Sequence, residues 1–171
     1  SIPVATTPKA KGAFPEVHPL ALGVLGLCGS PLAETYIKSK KHDVLLVIGS
    51  SLNQITTLSW DQRLAPTKCL IHINIDPAEI GKNYHAHIPL VGDAGTVINE
   101  ISFRVLRHLT KEKRNWKKRE EGLARIKRKT GMHINPEKLV SDHIPLKPQR
   151  IIYEMQESLP GDAILFVDVG N

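Results

Sequence analysis

Four short segments of the chain are apolar: Ile2–Thr7, Val44–Ser50, Cys69–Asp76 and Ala163–Val169. In the last three the apolar positions run on almost without alternation and are rich in Val, Ile and Leu. A strand covered on one face alternates, whereas one covered on both does not, so these runs predict parallel strands buried between layers. Ile88–Val91 reads as a weaker fifth strand. Between them lie stretches of helical length: Leu20–Lys40 (broken by glycines), Thr56–Leu64, Ala94–Leu109 and Pro148–Leu159. In the stretch after Asp93, the residues Val97, Ile98, Ile101, Val105, Leu106 and Leu109 fall on one face at helical spacing. Such alternation with short connections predicts an α/β fold on a doubly wound, mostly parallel sheet. Thr130–Pro148 is polar, carries three prolines, and reads as a linker.

Composition narrows this picture without redirecting it. The 171 residues suffice for one domain with an appendage, and 41% hydrophobic with 23% charged residues is the balance of a globular protein. No apolar run reaches the roughly 18 residues of a membrane span. Ser1-Ile2-Pro3-Val4-Ala5 has neither a basic leader nor an apolar signal core, and Cys28 and Cys69 make no disulfide framework, so a cytoplasmic setting is expected. The net charge of +6 is uneven, because residues 111–129 hold ten of the 23 basic residues. Glu112, Glu120 and Glu121 offset part of that charge, and Trp116, Leu123 and Ile126 form an intermittent apolar stripe. The segment therefore reads as a solvated basic helix docked by its stripe, with no nucleic-acid partner.

In an open parallel sheet ligands sit beyond the carboxyl ends of the strands, so the candidate chemistry lies there. Gly49-Ser50-Ser51-Leu52-Asn53 follows one strand, and Asn74-Ile75-Asp76-Pro77 closes the next. Gly26-Leu27-Cys28-Gly29-Ser30 is a glycine-flanked turn, and Gly92-Asp93 ends a further strand. Glycine permits close backbone approach, while small hydroxyls and amides can hydrogen-bond phosphate or ribose. Other candidates carry less. His72, His85 and His87 lack metal-ligand spacing and read as surface or satisfied histidines. Cys28 has no signalled base nearby and reads as a buried structural thiol. No P-loop and no nucleophile elbow occurs, and no catalytic constellation is found.

The ordered runs Pro3–Glu16, His18–Gly26, Asp43–Gly49, His72–Asn83 (with Asp-Pro-Ala-Glu-Ile-Gly-Lys-Asn the most specific) and Val91–Ala94 resemble the central domain of thiamine-diphosphate-dependent enzymes, acetolactate synthase large subunits above all. The likeness covers Pro3 to about Leu109, and Asp168-Val-Gly-Asn171 is similar to the opening of the family's C-terminal domain. It implies a Rossmann-like sheet of the DHS-like NAD/FAD-binding type, here lacking the first strand and helix that precede the segment matching Ile2. It further implies a central domain over residues 1–129 ending in the basic helix, a linker over 130–148, and the start of a diphosphate-binding domain over 149–171.

The resemblance also implies a multidomain, homo-oligomeric enzyme acting on 2-oxo acids. Its thiamine diphosphate and magnesium would be held by other domains of the same polypeptide, so this chain alone would be inactive. The family's central domain can hold FAD or ADP. The corresponding cofactor-binding residues would be Thr7, Leu27, Cys28, Gly29, Gly49, Ser51, Asn53, Asn74, Ile75, Asp93 and Ala94. Ser51 and Ile55 stand where the family carries arginines, and Asn74 where it carries an acid. Two other readings stay open at this point. Val44–Leu52 is also similar to a segment of sirtuin-like NAD-dependent deacylases, although their zinc motifs are missing. A non-catalytic nucleotide-binding or assembly module is the third.

Overall fold

The computed structural model describes residues 2–39, 42–108, 116–131 and 133–166. By internal packing the chain divides into residues 1–132 and residues 133–171. The first unit holds five strands: β1 (Val4–Thr6), β2 (Ala21–Val24), β3 (Val44–Ile48), β4 (Cys69–Asn74) and β5 (Ile88–Val91). All pairings among them are parallel. β1 pairs with β2 in one sheet, and β3, β4 and β5 follow in order in a second. The helices of this unit are α1 (Pro31–Lys38), α2 (Ala94–His108) and α3 (Trp116–Thr130). The α/β class with parallel sheets and flanking helices is as expected. Among the described residues the strands stand in two parallel sheets, since no backbone ladder joins the β1–β2 pair to β3.

Local chemistry explains each element. Ser30 accepts the Leu32 N–H at 3.2 Å and Pro31 takes the first helical position, which together start α1. The Leu20–Lys40 expectation is corrected here. Its first part, Ala21–Val24, is a strand, because an apolar run beside β1 gains a ladder that a glycine-broken helix could not keep. Thr56–Leu64 is not an α-helix either. Thr57 Oγ1 donates to the Asn53 carbonyl at 2.8 Å and accepts the Trp60 N–H at 3.0 Å, so side chains compete for the bonds a helix would use. Leu58, Ser59 and Trp60 accordingly lie in the left-handed region, with φ of 55°, 62° and 57°. Only Gln62–Leu64 forms a short 3-10 turn.

Two apolar clusters hold the unit. Val47, Leu52, Leu64, Leu70 and Tyr84 pack beneath β3 and β4. Leu22, Leu32, Ala33 and Leu123 join β2, α1 and α3, so the basic helix docks through Leu123 with Ile126 beside it. Each fully buried aliphatic side chain contributes about 1.5–3 kcal/mol relative to exposure.

In the second unit, α4 (Pro148–Ser158) matches its expected helix, and it packs on a 3-10 helix at Pro136–Val140 that the linker reading did not foresee. The strand expected over Ala163–Val169 is corrected in part. Ala163–Phe166 has no regular structure, and Ile164 and Phe166 are almost fully exposed, because no neighbouring strand pairs with them. The remainder of that segment lies outside the described residues, as does Leu109. Among the described residues no helix is long and apolar enough to cross a membrane.

Candidate functional site

The parallel strands deliver their C-terminal ends to one edge of each sheet, and hydrogen bonds link those ends in series. Leu25 N–H donates to Thr6 O at 2.8 Å, which sets the turn after β2 beside Thr7. Leu27 N–H donates to Ile55 O at 2.9 Å and ties that turn to the loop after β3. Gly49 N–H donates to Ile73 O at 2.9 Å, and Gly92 N–H to Asn74 O at 3.0 Å. Thr7, Leu27, Cys28, Gly29, Gly49, Ser51, Asn53, Asn74, Ile75, Asp93 and Ala94 therefore all belong to one connected set of strand-end loops.

Two residues outside the expected contact set fix these loops, and His72 is the satisfied histidine that its sequence allows. His72 is 1% exposed. Its Nε2 lies 2.8 Å from Ser50 O, and its Nδ1 faces the Gly81 N–H at 3.4 Å. A carbonyl only accepts, so the geometry assigns the proton to Nε2 and a neutral ring bridging the loops after β3 and β4. Asn83 Nδ2 donates to Ser51 O at 3.0 Å and to Leu52 O at 3.2 Å, which closes the same loop from outside. An apolar strand interrupted by one inward histidine was the available signal for His72. His85 and His87 stack edge to face, and His87 Nδ1 accepts the Leu70 N–H at 3.1 Å. Among the described residues no cluster could hold a metal ion.

The glycines serve backbone packing. A Cβ on Gly26 would lie 2.7 Å from Ile55 O, and one on Gly29 would lie 2.5 Å from Val24 O. Close approach of chain to chain, not of chain to ligand, demands glycine there. Gly49 differs: φ of +62° with open space around it suits a bare turn. Cys28 is exposed at φ 55°, which corrects the expectation of a buried structural thiol, since the Gly26–Gly29 turn leaves no interior position for it.

A bound dinucleotide would need free N–H donors and countercharge at this edge. Five backbone donors at this edge are already spent. Leu27, Gly29, Ser30 and Gly49 give their N–H groups to carbonyls, and Leu52 gives its N–H to Ser50 Oγ at 3.2 Å. Asn53 Oδ1 accepts the Thr56 N–H at 3.0 Å, and Asn74 Oδ1 accepts the Asp76 N–H at 3.0 Å. Asp93 Oδ1 takes the Thr96 N–H at 2.9 Å and its hydroxyl at 3.0 Å, capping α2. Those bonds, the backbone one foremost, hold the Asp93 carboxyl below its ordinary value. The residues form a cradle in outline but do not fit an anionic dinucleotide.

Parallel strands with glycine turns at their ends and an Asp-Pro-Ala-Glu-Ile-Gly-Lys-Asn run after β4 define an α/β domain of the nucleotide-fold class. A family model described as thiamine pyrophosphate enzyme, central domain, matches residues 1–101, and the chain belongs to that family. Among similar proteins, the probable acetolactate synthase large subunit of Methanocaldococcus jannaschii is 39% identical over 177 residues, covering 99% of this chain and 28% of that protein. The counterpart in Methanococcus aeolicus is 34% identical, over 100% of this chain and 29% of its own length. An acetolactate synthase of Mycobacterium bovis is 35% identical over 99% of this chain and 26% of its own. The chain thus spans under a third of these relatives. Membership in this family leaves the sirtuin-like reading without support.

Proposed function

We propose that this chain is the central domain of a thiamine-diphosphate-dependent enzyme that condenses 2-oxo acids in the manner of acetolactate synthase. The observation that carries the reading is the 39% identity to the Methanocaldococcus jannaschii large subunit across 99% of the chain. Thiamine diphosphate, when bound, supplies an electron sink for decarboxylation and for joining the resulting two-carbon unit to a second carbonyl. Its site and its magnesium belong to other domains of the polypeptide, and the assembled enzyme is a homo-oligomer. Within residues 1–171 no described side chains make a catalytic group of their own. The domain's part is architectural: Asp93, Asn74, Asn53 and His72 hold the strand-end loops in fixed shapes. For the FAD or ADP site expected at the eleven strand-end residues, the outline is present and the charge is not. The test is to purify the intact polypeptide carrying this chain and supply thiamine diphosphate, magnesium and pyruvate. Acetolactate, read as acetoin after acid decarboxylation, is the expected product and should depend on thiamine diphosphate. Failure to consume pyruvate or any other 2-oxo acid would overturn the assignment.

A further inference from the structure

We infer that the strand-end edge of this domain is closed to nucleotides carrying an anionic diphosphate, so that it takes up neither FAD nor ADP and the enzyme works without flavin. The inference rests on the assignment above for the choice of nucleotides, and on this chain's own residues for the outcome. Two independent features point the same way.

The first is the donor inventory. The N–H groups of Leu27, Gly29, Ser30, Gly49, Asp76 and Thr96, at the ends of β2, β3 and β4 and at the start of α2, are already engaged. The N-terminal end of α2 would be the natural seat for a phosphate, but the Asp93 carboxylate occupies it. A diphosphate would have to displace a resident anion and break bonds of 2.9–3.0 Å.

The second is charge. The loops after β4 and β5 present Asp76, Glu79 and Asp93. Their one ammonium, Lys82, is bound to Glu79 at 2.9 Å, and this contact raises its pKa. After β3 come the neutral Ser51 and Ile55. The loop after β1 adds Lys9 and Lys11, of which Lys11 is paired with Glu16 at 2.8 Å. Between these groups stand exposed apolar side chains, Leu27, Ile55 and Ile75, at 64%, 56% and 74% exposure. A diphosphate would meet carboxylates and hydrocarbon where it needs bidentate cations, and charge-assisted bonds are the strong ones.

The test uses the intact polypeptide purified with thiamine diphosphate and magnesium. Acid denaturation should release no flavin fluorescence. Calorimetric titration with FAD and with ADP should show no saturation up to about 1 mM, a concentration at which any micromolar site is full. Acetolactate formation should not change on adding FAD. Stoichiometric flavin in the purified protein, or saturable micromolar binding of either nucleotide, overturns the inference. The variant Ile55→Arg places a cation on an exposed position between the turns after β2 and β3. It should bring saturable FAD binding into the range below about 1 mM, where the parent shows none. No gain in that variant overturns charge as the reason. A polypeptide that makes no acetolactate at all fails the functional assignment and leaves the binding result standing.

Discussion

The two faces of the β3–β4–β5 sheet are built from the same kinds of residue and end in different states. Residues paired across a parallel sheet point to the same side, so Leu45 and Leu70 share one face with Val47 and His72. That face is sealed over β3 and β4, though Pro89 and Val91 on the same side of β5 stay exposed: Val47, Leu70 and His72 are almost inaccessible, closed over by Leu52, Leu64 and Tyr84. The opposite face carries Val44, Leu46, Ile48, Ile71, Ile73, Ile88 and Leu90. There only Ile73 is fully buried, while Val44, Leu46 and Ile48 are 47%, 37% and 43% exposed. α2 lies against β4, the central strand, and the β3 residues beside it stay partly exposed. The helix repeats the division along its own length, with Val97, Ile98 and Ile101 half-buried and Val105 and Leu106 exposed. Hydrophobicity therefore says what a strand can bury. What it does bury is decided by which element lies over it.

The largest test of that contrast pairs one leucine from each face. Leu70→Ala removes a side chain that is 1% exposed and leaves a cavity, so it should cost about 2–5 kcal/mol. Leu46→Ala, on the neighbouring strand but the open face, should cost within about 0.5 kcal/mol, as for a surface change. Urea denaturation of the chain, with the slope unchanged, reads both. Equal losses would mean that the second face is covered after all and would break the comparison.

Much of the fold was legible in the sequence because it rests on local pattern. The runs Val44–Ile48 and Cys69–Asn74 are nearly continuous in apolar residues, α2 shows its helical spacing, and α4 falls in a stretch of helical length. Ala21–Val24 was misread because its strand character comes from β1, a partner fifteen or more positions away that no local window contains. The Thr56–Leu64 stretch was misread because hydroxyl-to-backbone bonds, not propensity, set its path. Ala163–Phe166 shows the converse, an apolar run with strand character and no partner strand to express it. As for the site, the glycines at 26, 29 and 49 were visible, but their purpose was not. Only coordinates show that Gly26 and Gly29 admit backbone carbonyls. That His72, read as a surface or satisfied histidine, and Asn83 tie loops together was not legible for the same reason, since their partners lie in a different loop.

A smaller effect tests whether the sealed face also governs the loops above it. His72→Phe keeps ring bulk on that face while leaving Ser50 O and the Gly81 N–H unpaired. Stranding such groups costs about 1–3 kcal/mol, so the variant should be less stable by that amount. Amide hydrogen exchange should rise in the loops at residues 50–53 and 79–83 while β4 stays protected. A variant as stable as the parent, with unchanged exchange, would show that packing alone holds those loops.

The smallest effect lies at the rim of the same face, where the Tyr84 hydroxyl donates to Asp61 O at 3.0 Å. Asp61 also accepts the Arg63 guanidinium and the Arg63 N–H, and these, the guanidinium first, lower its carboxyl pKa to about 2. An unfolded aspartate titrates near 3.9, so the folded state favours the ionised form. The resulting stability is fully present above about pH 4 and is lost as pH falls through 4 toward 2. Arg63 is half exposed, so solvent screening keeps this contribution the smallest of those considered. Asp61→Asn should flatten that part of the acid limb of a stability–pH curve and leave the curve above pH 5 parallel to the parent. An acid limb identical in both proteins would mean that the Asp61–Arg63 pair contributes nothing, and that Tyr84 alone anchors the loop to the sealed face.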